Sequence, residues 1–554
     1  MRIIFISIII SFAIIMIINP QSNKKAFING KIYTVNNKQP LAEAVLIEGN
    51  KIIFVGSNEE AEKLIEESAE VIDLKGKLML PGFIDDHVHF TSGGFYLQGI
   101  DLRQAKSTAE FRDILKNYVQ QHKGKWITGG NWDHEAWEVN DLPTKELIDD
   151  ITENTPVFVD RFDGHMALAN SYALKLANIT KDTPSPEGGM IVKNPKTGEP
   201  TGILKDNAMS LIYSLIPPAS KEETYNAALT ALNHAKELGV TSVHDITYSQ
   251  DLEVYKQLEE EGKLTCRIYT RLPIADYQNI VKDKIKAGFG SDKLKLGSLK
   301  AFADGSLGSS TAWFFEPYHQ DTTTMGLPMD IVTDGSLRKW ALEADKNNLQ
   351  LSVHAIGDRA NFYMLDLFQE IIETNPKWDR RFRIEHAQHV RFEDIPRFAE
   401  LGVIASAQPY HAIDDGVWAE KRIGPERIKY TYPFKTFLDN KVILCFGSDW
   451  TVAPLNPLLG IYAAVTRRTL DDKNPGGWIP EQKISVEETI RCYTINNAYA
   501  AFEEKIKGSI EVGKLADLVV LDQDILTIEP IKIKDAKVEM TVFDGEVVYK
   551  KSSP

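Results

Sequence analysis

Between residues 80 and 446 the chain repeats one pattern, a short apolar run followed by a longer stretch with helical spacing. The apolar runs fall at 80–89, 240–245, 264–269, 294–303, 349–354, 382–386, 403–408 and 442–446. Strands that alternate with helices predict parallel βα units, and eight of them in one run predict an α/β fold closed as a (β/α)8 TIM-like barrel. An open doubly wound sheet usually has fewer strands and carries a glycine-rich phosphate loop, which is missing here.

One connection is far too long for a βα loop. Residues 91–220 separate the first strand from the helix that begins near Glu222, and they hold strand-like runs at 126–130 and 156–160. An inserted α+β subdomain is expected there, lying over the barrel mouth, because loops at the carboxyl ends of barrel strands form the active-site face. Both chain ends read as short alternating strands, with Gly49-Asn50 as a hairpin turn. Residues 26–80 and 507–554 are expected to form one composite β domain around a barrel that spans 81–506.

A chain of 554 residues has room for a large barrel with an accessory domain. Its net charge of −15 and the lack of any basic run exclude nucleic acid as the main partner. Cys266, Cys445 and Cys492 lie far apart in apolar or helical surroundings, so buried thiols are expected rather than a zinc motif or disulfides. After Arg2, residues 3–18 are almost unbroken apolar sequence closed by Asn19-Pro20. Residues 1–20 thus read as a secretory signal, with export from the cytoplasm to the periplasm, the exterior or a membrane surface. No small-x-small cleavage site follows and Lys24 and Lys25 come soon after, so an uncleaved membrane anchor is the other reading.

The candidate chemistry lies at the strand ends. In the first strand Leu80-Pro81-Gly82-Phe83-Ile84-Asp85-Asp86-His87-Val88-His89, alternation points His87 and His89 to one face and Val88 to the other. Two neutral imidazoles at a strand end make half of a zinc-type site, though such a pair alone is a weak signal. Lys300, His354, His386 and Asp449 close four further strands. A packed barrel end has no need of polar residues at so many strand ends, so the set points to one site. His389 lies one helical turn beyond His386, which is preferred because it directly ends its strand.

Together with Asp304-Gly305-Ser306-Leu307-Gly308-Ser309, Ile384-Glu385-His386-Ala387, Gly447-Ser448-Asp449 and the segment Gly508 to Asp517, these motifs resemble the amidohydrolase superfamily. The branch is the one that includes N-substituted formamide deformylases, amidohydrolase family 3, and the likeness runs from Ala26 onward. The resemblance implies a metal-dependent hydrolase of non-peptide C–N bonds. His87 and His89 would bind one divalent ion and His354 and His386 a second. Lys300 would bridge them, and Asp449 would bind metal and shuttle the proton. Because an ammonium has no lone pair, Lys300 would have to be carboxylated; left unmodified, it would stand as a plain cation beside a single ion. Zinc is the first expectation, with iron or manganese also suited to such a nitrogen and oxygen set. A small-molecule amide, N-acyl or N-formyl, is the implied substrate. The insertion offers His165 and Trp132 as substrate contacts, and Asp304, just past Lys300, is placed to orient a substrate group or a ligand. A cyclic amide or ester hydrolase, or a binding or signalling protein on this scaffold, are the alternatives.

Overall fold

The computed structural model describes residues 24–134, 137, 141–161, 166–186 and 189–552. The amino-terminal apolar segment and His165 therefore lie outside the described residues. Among the described residues no helix is long and apolar enough to cross a membrane.

The eight barrel strands are β1 (Phe83–Val88), β2 (Val240–Ile246), β3 (Arg267–Pro273), β4 (Leu294–Phe302), β5 (Gln350–Ala355), β6 (Arg383–His386), β7 (Ile404–Ala407) and β8 (Leu444–Phe446). They pair in sequence order, each parallel to the next. Closure between β8 and β1 is made by a single parallel bridge, Val88 to Trp450. The Asn497 side chain clamps the same seam, donating to the carbonyls of Ile84 (2.6 Å) and Phe446 (2.8 Å). Apolar residues on the outer faces of the strands pack against the surrounding helices in one large core.

Gly82 shows why the sequence breaks before β1. A Cβ there would sit 2.2 Å from Thr241 Oγ1, so only glycine lets β1 approach β2 at this level. Just upstream, the strand Leu78–Pro81 pairs with Leu518–Leu521 from the far end of the chain. The two ends thus share a six-stranded sheet, and a four-stranded sheet from residues 24–73 packs on it through Phe27, Val45, Met79, Leu518 and Val542. The Gly49-Asn50 turn joins Ala44–Glu48 to the antiparallel Lys51–Gly56, with Gly49 at φ +58°.

The insertion builds a six-stranded sheet from residues 100–206 with its own apolar core around Phe111, Leu115, Ile127 and Val159. Trp132 belongs to that core. It is fully buried and its Nε1 donates to the Val159 carbonyl, so the substrate contact expected of it is corrected to packing. All three cysteines are free and buried.

A buried ion cluster joins barrel and β domain. Arg267, at the start of β3, donates to both oxygens of Asp517 (2.6 and 2.9 Å) and to Asp544 (2.9 Å). Removing one partner of a buried pair leaves an uncompensated charge and costs about 3–5 kcal/mol. Asp517→Ala is expected to lower unfolding stability by about 3 kcal/mol, read as a reduced urea midpoint. An unchanged midpoint would show that apolar packing alone holds the two parts together.

Candidate metal centre

His87 is the penultimate residue of β1, and His89 follows as the residue that caps the helix Phe90–Gln98. Val88 between them points outward into the apolar core. The two imidazoles converge on Asp449, whose Oδ1 lies 3.6 Å from His87 Nε2 and 3.5 Å from His89 Nε2. Asp449 comes just after β8 in a left-handed conformation, φ +57°, fixed by its N–H donating to the His87 carbonyl at 2.7 Å. Gly447 makes that approach possible, since a Cβ there would lie 2.5 Å from the His87 nitrogen.

His386 joins from β6. Its ring centroid is 5.0 Å from that of His87 and 4.5 Å from that of His354, at the end of β5. Strict alternation would send Glu385 and His386 to opposite faces. The backbone turns left-handed at His386 (φ +72°) and Ala387 (φ +41°), and both side chains reach the barrel interior.

Each ring is held by a neighbour. His87 Nδ1 donates to Glu385 Oε2 at 2.5 Å, and His386 Nδ1 donates to Gln408 Oε1 at 2.8 Å. Both rings therefore present Nε2 lone pairs, the orientation that a carboxylate or amide behind a ligating histidine imposes. His354 Nε2 lies 3.1 Å from the Gly305 carbonyl and donates to it, which leaves Nδ1 as its lone pair. Glu385 is itself fixed by Arg271, 2.6 Å from its Oε1, and by the Ser406 hydroxyl at 2.8 Å.

Burial, reinforced by the Lys300 charge, pushes His87 down to about 4, and the same two causes bring His354 to about 3. His386 is likewise held well below the usual imidazole range, first by burial. All three are neutral at pH 7 and free to ligate. Burial alone would raise Asp449, yet the facing imidazoles of His87, His89, His386 and His411 outweigh it and hold the carboxyl well below its usual value. Lys300, inside the barrel on β4, is brought down to about 7 by burial. Its Nζ has no hydrogen-bond partner and stands 4.7 Å over the Phe302 ring.

Among the described residues, two groups of three could each hold an ion with ligand atoms mutually within 4.8 Å: His87, His89 and Asp449, and His386, His411 and Asp449. His354 is in neither group, although its ring centroid lies 4.5 Å from that of His386. His389 stands apart, its Nδ1 hydrogen-bonded to Thr431 Oγ1 at 2.8 Å. The oxygens of Asp304 accept from the backbone N–H groups of Ile356, Gly357 and Trp313, fixing the loop that follows His354, and its Oδ1 lies 3.4 Å from His354 Nε2. Glu385, Gln408 and His411 are functional neighbours that strand-end reasoning missed. Gln408, the last residue of the run 403–408, and His411, just past it, carried a readable signal as polar residues at a strand end.

Between the insertion and the helix Phe90–Gln98 lies a cavity of about 760 Å³, lined by Phe95, Tyr96, Tyr118 and Trp126 and reaching Thr451; none of the candidate ligands lines it. A groove of about 920 Å³ in the β domain likewise contains none of them, so neither space is the metal centre itself.

The profile described as "Amidohydrolase family" matches residues 70–549. The chain belongs to this family. Protein LONG AFTER FAR-RED 3 of Arabidopsis thaliana is 38% identical over 94% of this chain and 91% of its own length. The N-substituted formamide deformylase of Arthrobacter pascens is 28% identical over 95% of this amidohydrolase and 98% of its own length. An uncharacterized metal-dependent hydrolase from Pyrococcus horikoshii superposes with a TM-score of 0.78 at 31% identity, covering 92% of this chain and 99% of the other. Membership of the amidohydrolase family, with a metal-dependent hydrolase as structural neighbour, implies hydrolysis and a divalent metal. Buried neutral imidazoles around one ionised carboxylate fit that requirement.

Loss of a partner behind a ligating histidine typically costs about 10–100-fold in metal affinity. Glu385→Gln is expected to weaken divalent-metal binding by about that factor, measured by competition with a chelator. Unaltered affinity would show that Glu385 serves Arg271 rather than His87.

Proposed function

We propose that this amidohydrolase cleaves a carbon–nitrogen bond of a small non-peptide amide, with N-formyl and N-acyl groups as the substrate class. The observation that carries the reading is the shared position of Asp449, within reach of His87 and His89 on one side and of His386 on the other. The likeness to a formamide deformylase supports the substrate class.

In this reading His87 and His89 hold one divalent ion and His354 and His386 a second, with Asp449 and a carboxylated Lys300 completing the set; zinc is the first choice, iron or manganese the next. Such ions supply Lewis acidity toward a carbonyl and lower the pKa of a water. Lys300 suits its part because burial brings its amine to about 7, so the neutral form that adds carbon dioxide is populated at neutral pH. Its unpartnered Nζ has no competing hydrogen bond to break. Asp449, between the two groups of imidazoles, would accept a proton from the attacking water and return it to the leaving amine nitrogen. Glu385 and Gln408 keep the tautomers of His87 and His386 fixed throughout.

The test is a panel of formyl and acyl amides assayed with metal-replete protein, alongside metal content by mass spectrometry. Two ions per chain and turnover of at least one amide are expected. Asp449→Asn should lower kcat by about 10²–10⁴, the usual worth of a positioned acid–base group. Failure to bind any divalent metal overturns the hydrolase reading, whereas full activity in Asp449→Asn removes only the proton-carrier role.

A further inference from the structure

His411 is the imidazole that the strand-end set does not use. It sits in the first turn of the helix Pro409–Asp415, directly after Gln408, the residue that orients His386. Its ring lies parallel to that of His386, at 11° with centroids 6.5 Å apart. A ligand-capable nitrogen of His411 lies within 4.8 Å of ligand atoms of both His386 and Asp449. Its Nε2 is buried and makes no hydrogen bond. An unpaired buried polar atom costs about 1–3 kcal/mol, so a partner that arrives with the substrate is the natural account of it.

The helix that carries His411 is pinned rather than loose. Asp415 at its far end accepts from Gln388 Nε2 at 2.7 Å and from the Tyr432 hydroxyl at 2.6 Å, and Ala412 and Ile413 are buried. The ring is therefore held in place before anything binds, which is what stabilisation of a developing charge requires.

We propose that His411 is a catalytic residue whose Nε2–H donates to the carbonyl oxygen of the substrate and holds that oxygen as it becomes the oxyanion of the tetrahedral state. The proposal rests on the amide-hydrolase reading above. Its ligand class is an acyl oxygen beside the metal centre. Metal ligation is the competing role, because His411 is grouped with His386 and Asp449 as a set that could hold an ion. A catalytic site keeps a coordination position open for water or substrate, and under the proposed function His354 would take the place beside His386 and leave His411 outside the ligand set.

The experiment compares wild type, His411→Ala and His411→Gln as full-length, metal-loaded protein. Three quantities are read: metal per chain, kinetics on any amide the wild type turns over, and affinity for methylphosphonate, a tetrahedral anion that mimics the oxyanion. Metal content is expected to be the same in all three. In His411→Ala, kcat should fall about 10²–10³-fold, as when an oxyanion donor is removed. Methylphosphonate should also bind more weakly. His411→Gln, which keeps an N–H donor at the end of its side chain, should recover part of both. Loss of one ion in His411→Ala overturns the proposal in favour of ligation. Equal methylphosphonate affinity in wild type and His411→Ala, with metal intact, overturns it outright. If the wild type hydrolyses no amide of the panel, the substrate class falls while the methylphosphonate comparison still decides the role of His411.

Discussion

Everything at the mouth of this barrel depends on the seam where the last strand meets the first. The seam has one backbone bridge, so side chains and short backbone contacts must hold it. Asn497 ties Ile84 to Phe446, the Asp449 N–H reaches the His87 carbonyl, and Gly447 removes the Cβ that would keep them apart. The geometry that closes the barrel is therefore the geometry that sets one carboxylate between two groups of imidazoles. A change that opens the seam would disperse the candidate ligands before it unfolded the chain.

The barrel interior beneath that site is not filled with the branched apolar side chains common in such folds. Asp86 on β1 accepts from Arg383 on β6 at 2.7 Å, and Glu385 on β6 faces Arg271 on β3 at 2.6 Å. Arg271 also donates to the carbonyls of Asp86 and His244, so it stitches β1, β2, β3 and β6 together. Two carboxylates and two guanidiniums cancel in charge, and buried charges that are paired and hydrogen-bonded avoid most of the penalty an isolated one would carry. Apolar residues would pack at lower cost. The ionic floor does what they cannot, because it ends in Glu385 and so fixes the ring of His87.

The strands and their order were legible because period and spacing survive translation into structure. All eight apolar runs became barrel strands, and the over-long connection after the first became a subdomain with its own sheet. The pair His87 and His89 was legible for the same reason, since alternation is a local property. Trp132 misled because an aromatic residue in a loop-like context carries no mark of burial, and its contact with Val159 is made across 27 residues. The partners of Asp304 were equally out of sight, because the backbone N–H groups it binds are spread from residue 313 to residue 357. Glu385 was hidden by the alternation rule itself, which assigns it to the wrong face.

That failure of the rule marks the functional end of the strand. His386, Ala387 and Asp449 all adopt left-handed backbone, a conformation that costs non-glycine residues of order 1–3 kcal/mol each. Such strain persists only where surrounding contacts fix it, and here they do. Gln408 holds the His386 ring, the turn that follows is buried at Ala387, and the His87 carbonyl holds the Asp449 N–H. The strain has a geometric return. A regular strand offers every second side chain to the interior, which would supply either Glu385 or His386. Turning the chain at its last residue supplies both, one to orient His87 and one to stand beside it.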